Sequence, residues 1–381
     1  MRASNDRILT THVGSLPRSA ELSELLLAKD HEKEYDRERL RKLVQRDVSA
    51  IVARQIDTGI DIISDGETSK VAYSTYIHDR LAGFSEDTER RLPLDVVPFP
   101  EFRARMVKLT GKQEFRRLAC MGAVHVKDME PLQTDLENFH MALQGQSYTE
   151  AFLNAASPGL VTSFQPNRFY KDRFAYIDAV AEAMQVEYEQ IHAAGFLLQL
   201  DCPDLAMSRH TGFQELDEKT FLLQIEHQVE VLNHALVNIP ASCLRMHVCW
   251  GNYEGPHNHD IELHKIIKVV LRAKPQAILF ESSNPRHAHE WKVWTETDIP
   301  DDKILVPGVI DTTSNFVEHP ELVAQRIEQF ASIVGRERVI AGTDCGFGTF
   351  AGHGKMDPDI SFLKLASLVE GARIASTRLW R

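Results

Sequence analysis

The amino-acid sequence predicts an α/β fold of the (β/α)8 barrel class, on three observations. Eight short apolar runs recur along the chain, helix-like stretches separate most of them, and nearly every run ends on a polar or metal-capable residue. Strands alternating with helices imply parallel strands joined by right-handed crossovers. Eight such units is the number that closes a barrel.

In chain order the predicted strands are 8–15 (ILTTHVGS), 60–67 (IDIISDGE), 160–165 (LVTSFQ), 195–201 (GFLLQLD), 242–250 (SCLRMHVCW), 277–283 (AILFESS), 304–311 (ILVPGVID) and 338–345 (RVIAGTDC). Helical periodicity is read over 35–56, 173–192, 218–236, 264–272 and 320–333. The segment from about 68 to 158 fits no single βα unit and is read as an inserted excursion, with RLACMGAVHV (117–126) as one or two strands of a hairpin. A doubly wound open sheet is the rival fold. It needs a Gly-rich phosphate turn after the first strand, and TTHVGSLPR carries one Gly. No Pro-rich or Gly/Ser-rich linker divides the chain, so residues 1–381 are read as a single barrel domain.

Composition narrows the class of function. Apolar residues make up 43% and charged residues 26%, as in soluble globular enzymes. A net charge of −12 weighs against nucleic acid or an anionic membrane as main partner, since both select clustered Lys and Arg. The N-terminus MRASNDRILTTHVG lacks the apolar core of a secretory signal. No stretch approaches the ~18 apolar residues of a membrane span. Five scattered cysteines make no disulfide framework, and a reducing cytoplasm is the expectation. Oligomeric state is left open.

The strand ends carry Ser15, Glu67, Asp201, His247 with Cys249, Glu281, Asp311 and Cys345. In a barrel such positions converge on one mouth. His247 and Cys249 stand two apart on one strand, so both side chains point to the same face. Alone, such a pair is more often core than ligand. Glu281 and Cys345 at equivalent strand ends change the balance: imidazole, two thiolates and a carboxylate form a tetrahedral set suited to zinc. Cys120 and Cys243 lack such company and are read as small buried hydrophobes.

Taken together, TTHVGSLPR, DGE (65–67), QLDCPD (199–204), MHVCWGN (246–252), LFESS (279–283), GVIDTTS (308–314) and GTDCGF (342–347) resemble the catalytic C-terminal half of cobalamin-independent methionine synthase and its stand-alone relatives, including epoxyalkane:coenzyme M transferase. The matching pieces run in order from residue 10 to residue 347. The resemblance implies a barrel enzyme with zinc held by His247, Cys249, Glu281 and Cys345. It also implies a thiol pocket in which the Gly14–Ser15 pair takes a carboxylate while Glu67 and Asp201 take an amine. The implied activity is transfer of a small alkyl group, methyl first, from a small-molecule donor to a thiol such as homocysteine. Zinc suits that task because it holds the thiol as the nucleophilic thiolate near neutral pH.

Two departures from the family pattern bear on the donor. The family's DEP reads Asp201-Cys202-Pro203, and its proton-donating His in DIHSP is replaced by Thr313. A tertiary amine donor such as methyltetrahydrofolate needs a proton on its leaving nitrogen, and Thr cannot supply it. The expectation is therefore an activated donor, with methylfolate a poor one. His257 and His259, in the loop GNYEGPHNHD, are expected over the mouth as replacement acids, and Asp311 is read as catalytic. Trp250 and Phe347 flank ligands and either stack on a flat donor or pack; Arg286 and His287 lie beside Glu281. Rival readings are epoxide opening by coenzyme M, a metal-free barrel lyase and a non-catalytic structural-zinc protein. Glu67 and Asp201 favour an amine-bearing thiol over a sulfonate.

Overall fold

The structure, a computed structural model, describes residues 1–353 and 356–381. Its strands are β1 (Leu9–Thr10), β2 (Ile62–Ser64), β3 (Leu81–Asp87), β4 (Leu118–Val126), β5 (Glu150–Ala156), β6 (Leu197–Asp201), β7 (Leu244–Val248), β8 (Ala277–Phe280), β9 (Ile304–Ile310) and β10 (Ile340–Thr343). The helices are α1 (Ala20–Asp30), α2 (Arg37–Thr58), α3 (Pro100–Thr110), α4 (Glu130–Leu143), α5 (Pro158–Phe164), α6 (Arg173–Ala193), α7 (Glu218–Ala235), α8 (Leu263–Val270), α9 (Trp291–Thr295), α10 (Pro320–Val334) and α11 (Pro358–Leu379). Several start where the sequence supplies a cap: the carboxylates of Asp36, Asp172, Asp217 and Asp357 accept backbone N–H groups of the first turn.

Eight strands pair in parallel in the order β1-β10-β9-β8-β7-β6-β5-β2. A parallel bridge between Thr11 and Ile62 joins the two ends, so the sheet closes into a (β/α)8 barrel. Alternate strand residues then feed two cores. Leu279, Val306, Ile62, Phe152 and Ile340 belong to a small inner cluster, while Ile278 and Leu305 join the larger outer one with the helices. Strands buried on both faces read as continuous apolar runs, which is why they were visible in the sequence.

Two expectations are corrected. The run 160–165 is not a strand: it lies in α5, and the barrel strand is β5. Ser157 accepts the Leu160 N–H and Pro158 occupies the first helical turn, a start signal that outweighs the β-branched composition of LVTSFQ. The excursion consequently ends earlier than 158. Its strands β3 and β4 form an antiparallel pair, whereas α4 packs on α2 and β5 joins the barrel. The reading of 117–126 as part of a hairpin agrees with β4. Helix α3, within the excursion, buries none of its residues.

The five cysteines form no disulfide. Among the described residues no helix is long and apolar enough to cross a membrane.

Candidate active site

Side chains at the C-terminal ends of β1, β2, β6, β7 and β10 meet at the barrel mouth. In β7, His247 stands opposite Asp201 of β6, and Cys249 follows two residues on. Cys345 arrives from the turn after β10. One ligand atom each from His247, Cys249 and Cys345 lies within 4.8 Å of the others, and the two sulfurs are 3.8 Å apart.

The ring of His247 is oriented by a carbonyl. Its Nε2 lies 3.0 Å from the main-chain oxygen of Asp344. A carbonyl only accepts, so Nε2 carries the proton and Nδ1 keeps its lone pair, the tautomer a metal ligand needs. Burial pulls the His247 pKa down to about 4, which keeps the ring neutral. The hydrogen bond with Cys345 and burial hold the Cys249 thiol protonated well above its ordinary range, with the charges of Cys345 and Glu281 adding to the effect. Two thiols and a carboxylate cannot ionise together in a buried site without a cation. That donor set fits a thiophilic divalent ion.

Glu281 stands at the edge of this group rather than within it. One carboxylate oxygen accepts the Trp250 N–H at 2.7 Å and the other accepts from Asn284 Nδ2 at 2.7 Å. Asp344 ties the parts together. Its carboxylate accepts the N–H groups of Ser282, Ser283 and Asn284 at 2.8, 3.0 and 2.9 Å. Strand β9 must pass close by: a Cβ on Gly308 would lie 2.1 Å from Asp344 Oδ1.

The loop after β1 places Ser15. His12 Nδ1 accepts the Gly14 N–H, so its Nε2 donates to Gln55 Oε1 at 2.7 Å. The Ser15 carbonyl accepts the Phe347 N–H, and a Cβ on Gly346 would collide with Ser15 Oγ at 1.9 Å. Glu67 sits at φ 53°, a left-handed conformation unusual for a side-chain-bearing residue. Among the described residues its Oε2 is buried without a hydrogen-bond partner. Asp201 accepts from Asn154 Nδ2 and Gln199 Nε2. Burial pushes Glu67 up to about 7 and Asp201 up to about 6, while the charge of buried Lys70 works against both shifts.

These groups open into one cavity of about 360 Å³. Ser15, Glu67, Asp201, His247, Cys249 and Cys345 line its inner part, and Tyr73, Arg90, Val96, Met106 and Tyr253 line the rest. The excursion thus forms its outer wall.

Other sequence candidates lie elsewhere. His257 is not on the cavity wall: Nδ1 bonds Asp260 at 2.9 Å and Nε2 bonds the Tyr253 carbonyl at 2.9 Å. His259 is exposed. Asp311 holds a turn, accepting the Thr313 and Ser314 N–H groups and the Thr313 hydroxyl. Trp250 is fully buried with its ring tilted against His287, and Phe347 is buried. His287 bonds Asp260 and Glu290, and Arg286 is exposed. The sequence reading missed Lys70, Tyr73, Asn154 and Asp344. Only Asp344, beside Cys345 in the TDCG motif, carried a signal.

The family described as Cobalamin-independent synthase, Catalytic domain, matches residues 8–356. A protein named Methionine synthase from Saccharolobus solfataricus is 24% identical over 378 residues, covering 98% of this chain and 96% of that one. Its namesake from Sulfurisphaera tokodaii is 24% identical over 375 residues, covering 97% and 93%. Among solved structures, a B12-independent methionine synthase from a Shewanella species, in complex with selenomethionine, superimposes with a TM-score of 0.73 at 17% identity, covering 98% of this chain and 99% of that one. A putative vitamin-B12-independent methionine synthase from Listeria monocytogenes gives 0.65 at 19% identity, covering 97% and 98%. At those identities the structural likeness concerns the fold.

Proposed function

The chain belongs to the family of the cobalamin-independent synthase catalytic domain, and from that premise we propose that it alkylates the sulfur of an amine-bearing thiol of the homocysteine type, with methyl as the first group to test. The observation that carries the reading is the convergence of His247, Cys249 and Cys345 in the same cavity as Glu67 and Asp201. Zinc is the metal this set suits, and when bound it supplies the positive charge that keeps a thiol ionised near neutral pH.

The chain's own residues do the rest. Asp344 fixes the His247 ring and, through the 282–284 turn and Asn284, the carboxylate of Glu281. Glu281, held by hydrogen bonds and standing beside Cys249, would be the oxygen ligand of that ion. Glu67 and Asp201 take the substrate ammonium, and the Gly14–Ser15 segment its carboxylate. The cavity would bring thiol and donor together, a proximity effect. Asp311 and His257 are assigned to holding the 311–314 turn and the 251–260 loop. Residues 1–381 are proposed to act as one catalytic domain in the cytoplasm on small molecules. Coenzyme M is the weaker substrate, because its sulfonate would meet two carboxylates.

Calorimetry tests the reading. Homocysteine should bind the zinc-loaded protein with release of about one proton near neutral pH, because it binds as thiolate. Heats independent of buffer ionisation enthalpy, with every thiol tried, would reject it.

A further inference from the structure

Thr313 stands where the family places an acid, and the replacement expected from the sequence, His257 or His259, is not on the cavity wall, so the donor's leaving atom needs another proton source. The cavity contains one. Tyr73, from the segment that follows β2, lines the cavity together with His247, Cys249 and Cys345. Its ring is pinned from two sides, with centroids 5.7 Å from Phe164 and 5.8 Å from Phe350. The phenol shares that cavity with Asp201 as well, and burial, with the negative charges of Cys249, Cys345 and Asp201, pushes its pKa well up, so it stays protonated near neutral pH. Among the described residues its hydroxyl makes no hydrogen bond. The cavity's other phenol differs: Tyr253 donates its proton to Asp95 at 2.6 Å.

Arg90 stands beside Tyr73. It reaches in from the excursion with its guanidinium over the Phe164 ring, 5.5 Å from the centroid, and bonds Gln113 Oε1. Among the described residues no carboxylate pairs with it. The Arg90 charge favours the phenolate that forms when the proton leaves, against the burial that otherwise holds the phenol protonated.

Resting on the proposed function, we propose that Tyr73, with Arg90 beside it, is the general acid that protonates the leaving atom of the alkyl donor. The bonds balance. A sulfur lone pair of the thiolate forms the C–S bond, the C–N or C–O pair of the donor passes to nitrogen or oxygen, and that atom takes the Tyr73 proton. The phenolate, held by Arg90, regains a proton from water once product leaves. Tyr73 therefore restores to the chain the amine donors that Thr313 removes, and it would speed the opening of an epoxide by protonating the departing oxygen.

The test compares wild type and Tyr73→Phe with homocysteine as acceptor. Two donors must take a proton on departure, 5-methyltetrahydrofolate and epoxypropane; two need none, S-methylmethionine and methylcobalamin. The expected result is turnover of at least one of the first pair by wild type. In Tyr73→Phe its kcat falls about 10²–10⁴-fold, the loss typical of a removed acid. Zinc content, homocysteine affinity and any turnover of the second pair stay at wild-type values, whereas a packing role would depress both pairs alike. Equal loss with both pairs would overturn the assignment, as would a wild type that uses only S-methylmethionine or methylcobalamin. So would a donor-selective loss in His353→Gln, on the same cavity wall, with Tyr73→Phe unaffected. Failure of wild type to alkylate any thiol with all four donors, despite bound zinc and homocysteine, would instead reject the parent reading.

Discussion

Glu67 shows how much a single position carries. Its backbone is in the left-handed region and its Oε2 is buried without a partner among the described residues, a combination retained where function repays strain. With Asp201 it forms a pair lifted to about 7 and about 6, mainly by burial. Raised carboxyls are neutral at low pH and ionised above these values, and an ammonium needs them ionised. The affinity for homocysteine, relative to an amine-free thiol such as mercaptopropionate, should therefore rise as pH climbs from about 5 and level off above about 7. Glu67→Gln should flatten most of that rise. Titration calorimetry across pH measures it, and a flat ratio in wild type would remove Glu67 and Asp201 from the amine pocket. The same raised values mean that the folded state binds extra protons, so this pair's contribution to ligand-free stability is greatest in acid and is lost as pH rises through about 6 to 7. At this scale the sequence was legible where spacing speaks: the HVC pair and the TDC turn name three converging donors. It was silent about Lys70, Asn154 and Tyr73, whose roles depend on what stands across the barrel.

The strands and their turns bring these residues together, and two positions test that. At Gly308 a methyl group would overlap Asp344, whose carboxylate holds the 282–284 turn and whose carbonyl holds His247. Gly308→Ala should destabilise by about 3 kcal/mol, the upper part of the range for overpacking, and weaken metal retention in the fraction that folds. Denaturant unfolding together with metal analysis checks both effects. Ser157 caps α5 and donates to buried Asp204 at 2.6 Å. Ser157→Ala loses the cap and leaves a buried carboxylate short of a donor, a cost of about 2–3 kcal/mol. A change under about 0.5 kcal/mol would contradict that account. Element α5 is also where the sequence reading slipped. A seven-residue helix shows barely two turns of periodicity, so LVTSFQ reads as a strand, while EAFLNAA, buried along nearly its whole length, falls within the segment that reads as an insertion. The Ser157-Pro158 pair was the available signal.

On the scale of the whole molecule, barrel closure turns eight scattered strand ends into one mouth. The class of fold was legible because parallel strands bury both faces and leave plain apolar runs. The limits of the excursion were not, because β3, α3 and β4 cover the mouth without contributing strands to the barrel. If the cavity is a metal-centred alkylation site, its donors should be separable from the fold. Cys249→Ala and Cys345→Ala should each lose most of the bound zinc yet keep the wild-type far-ultraviolet dichroism and a cooperative unfolding transition, because the barrel closes through backbone pairing that the sulfurs do not touch. Collapse of the fold on metal loss would place the ion among structural zincs. The most direct measurement is X-ray absorption at the zinc edge, with and without homocysteine. The account predicts about one zinc per chain bound by two sulfurs, one nitrogen and one oxygen, changing to three sulfurs and one nitrogen when the thiol is added. A metal-free active protein, or a sulfur count that stays at two with saturating homocysteine, would contradict it.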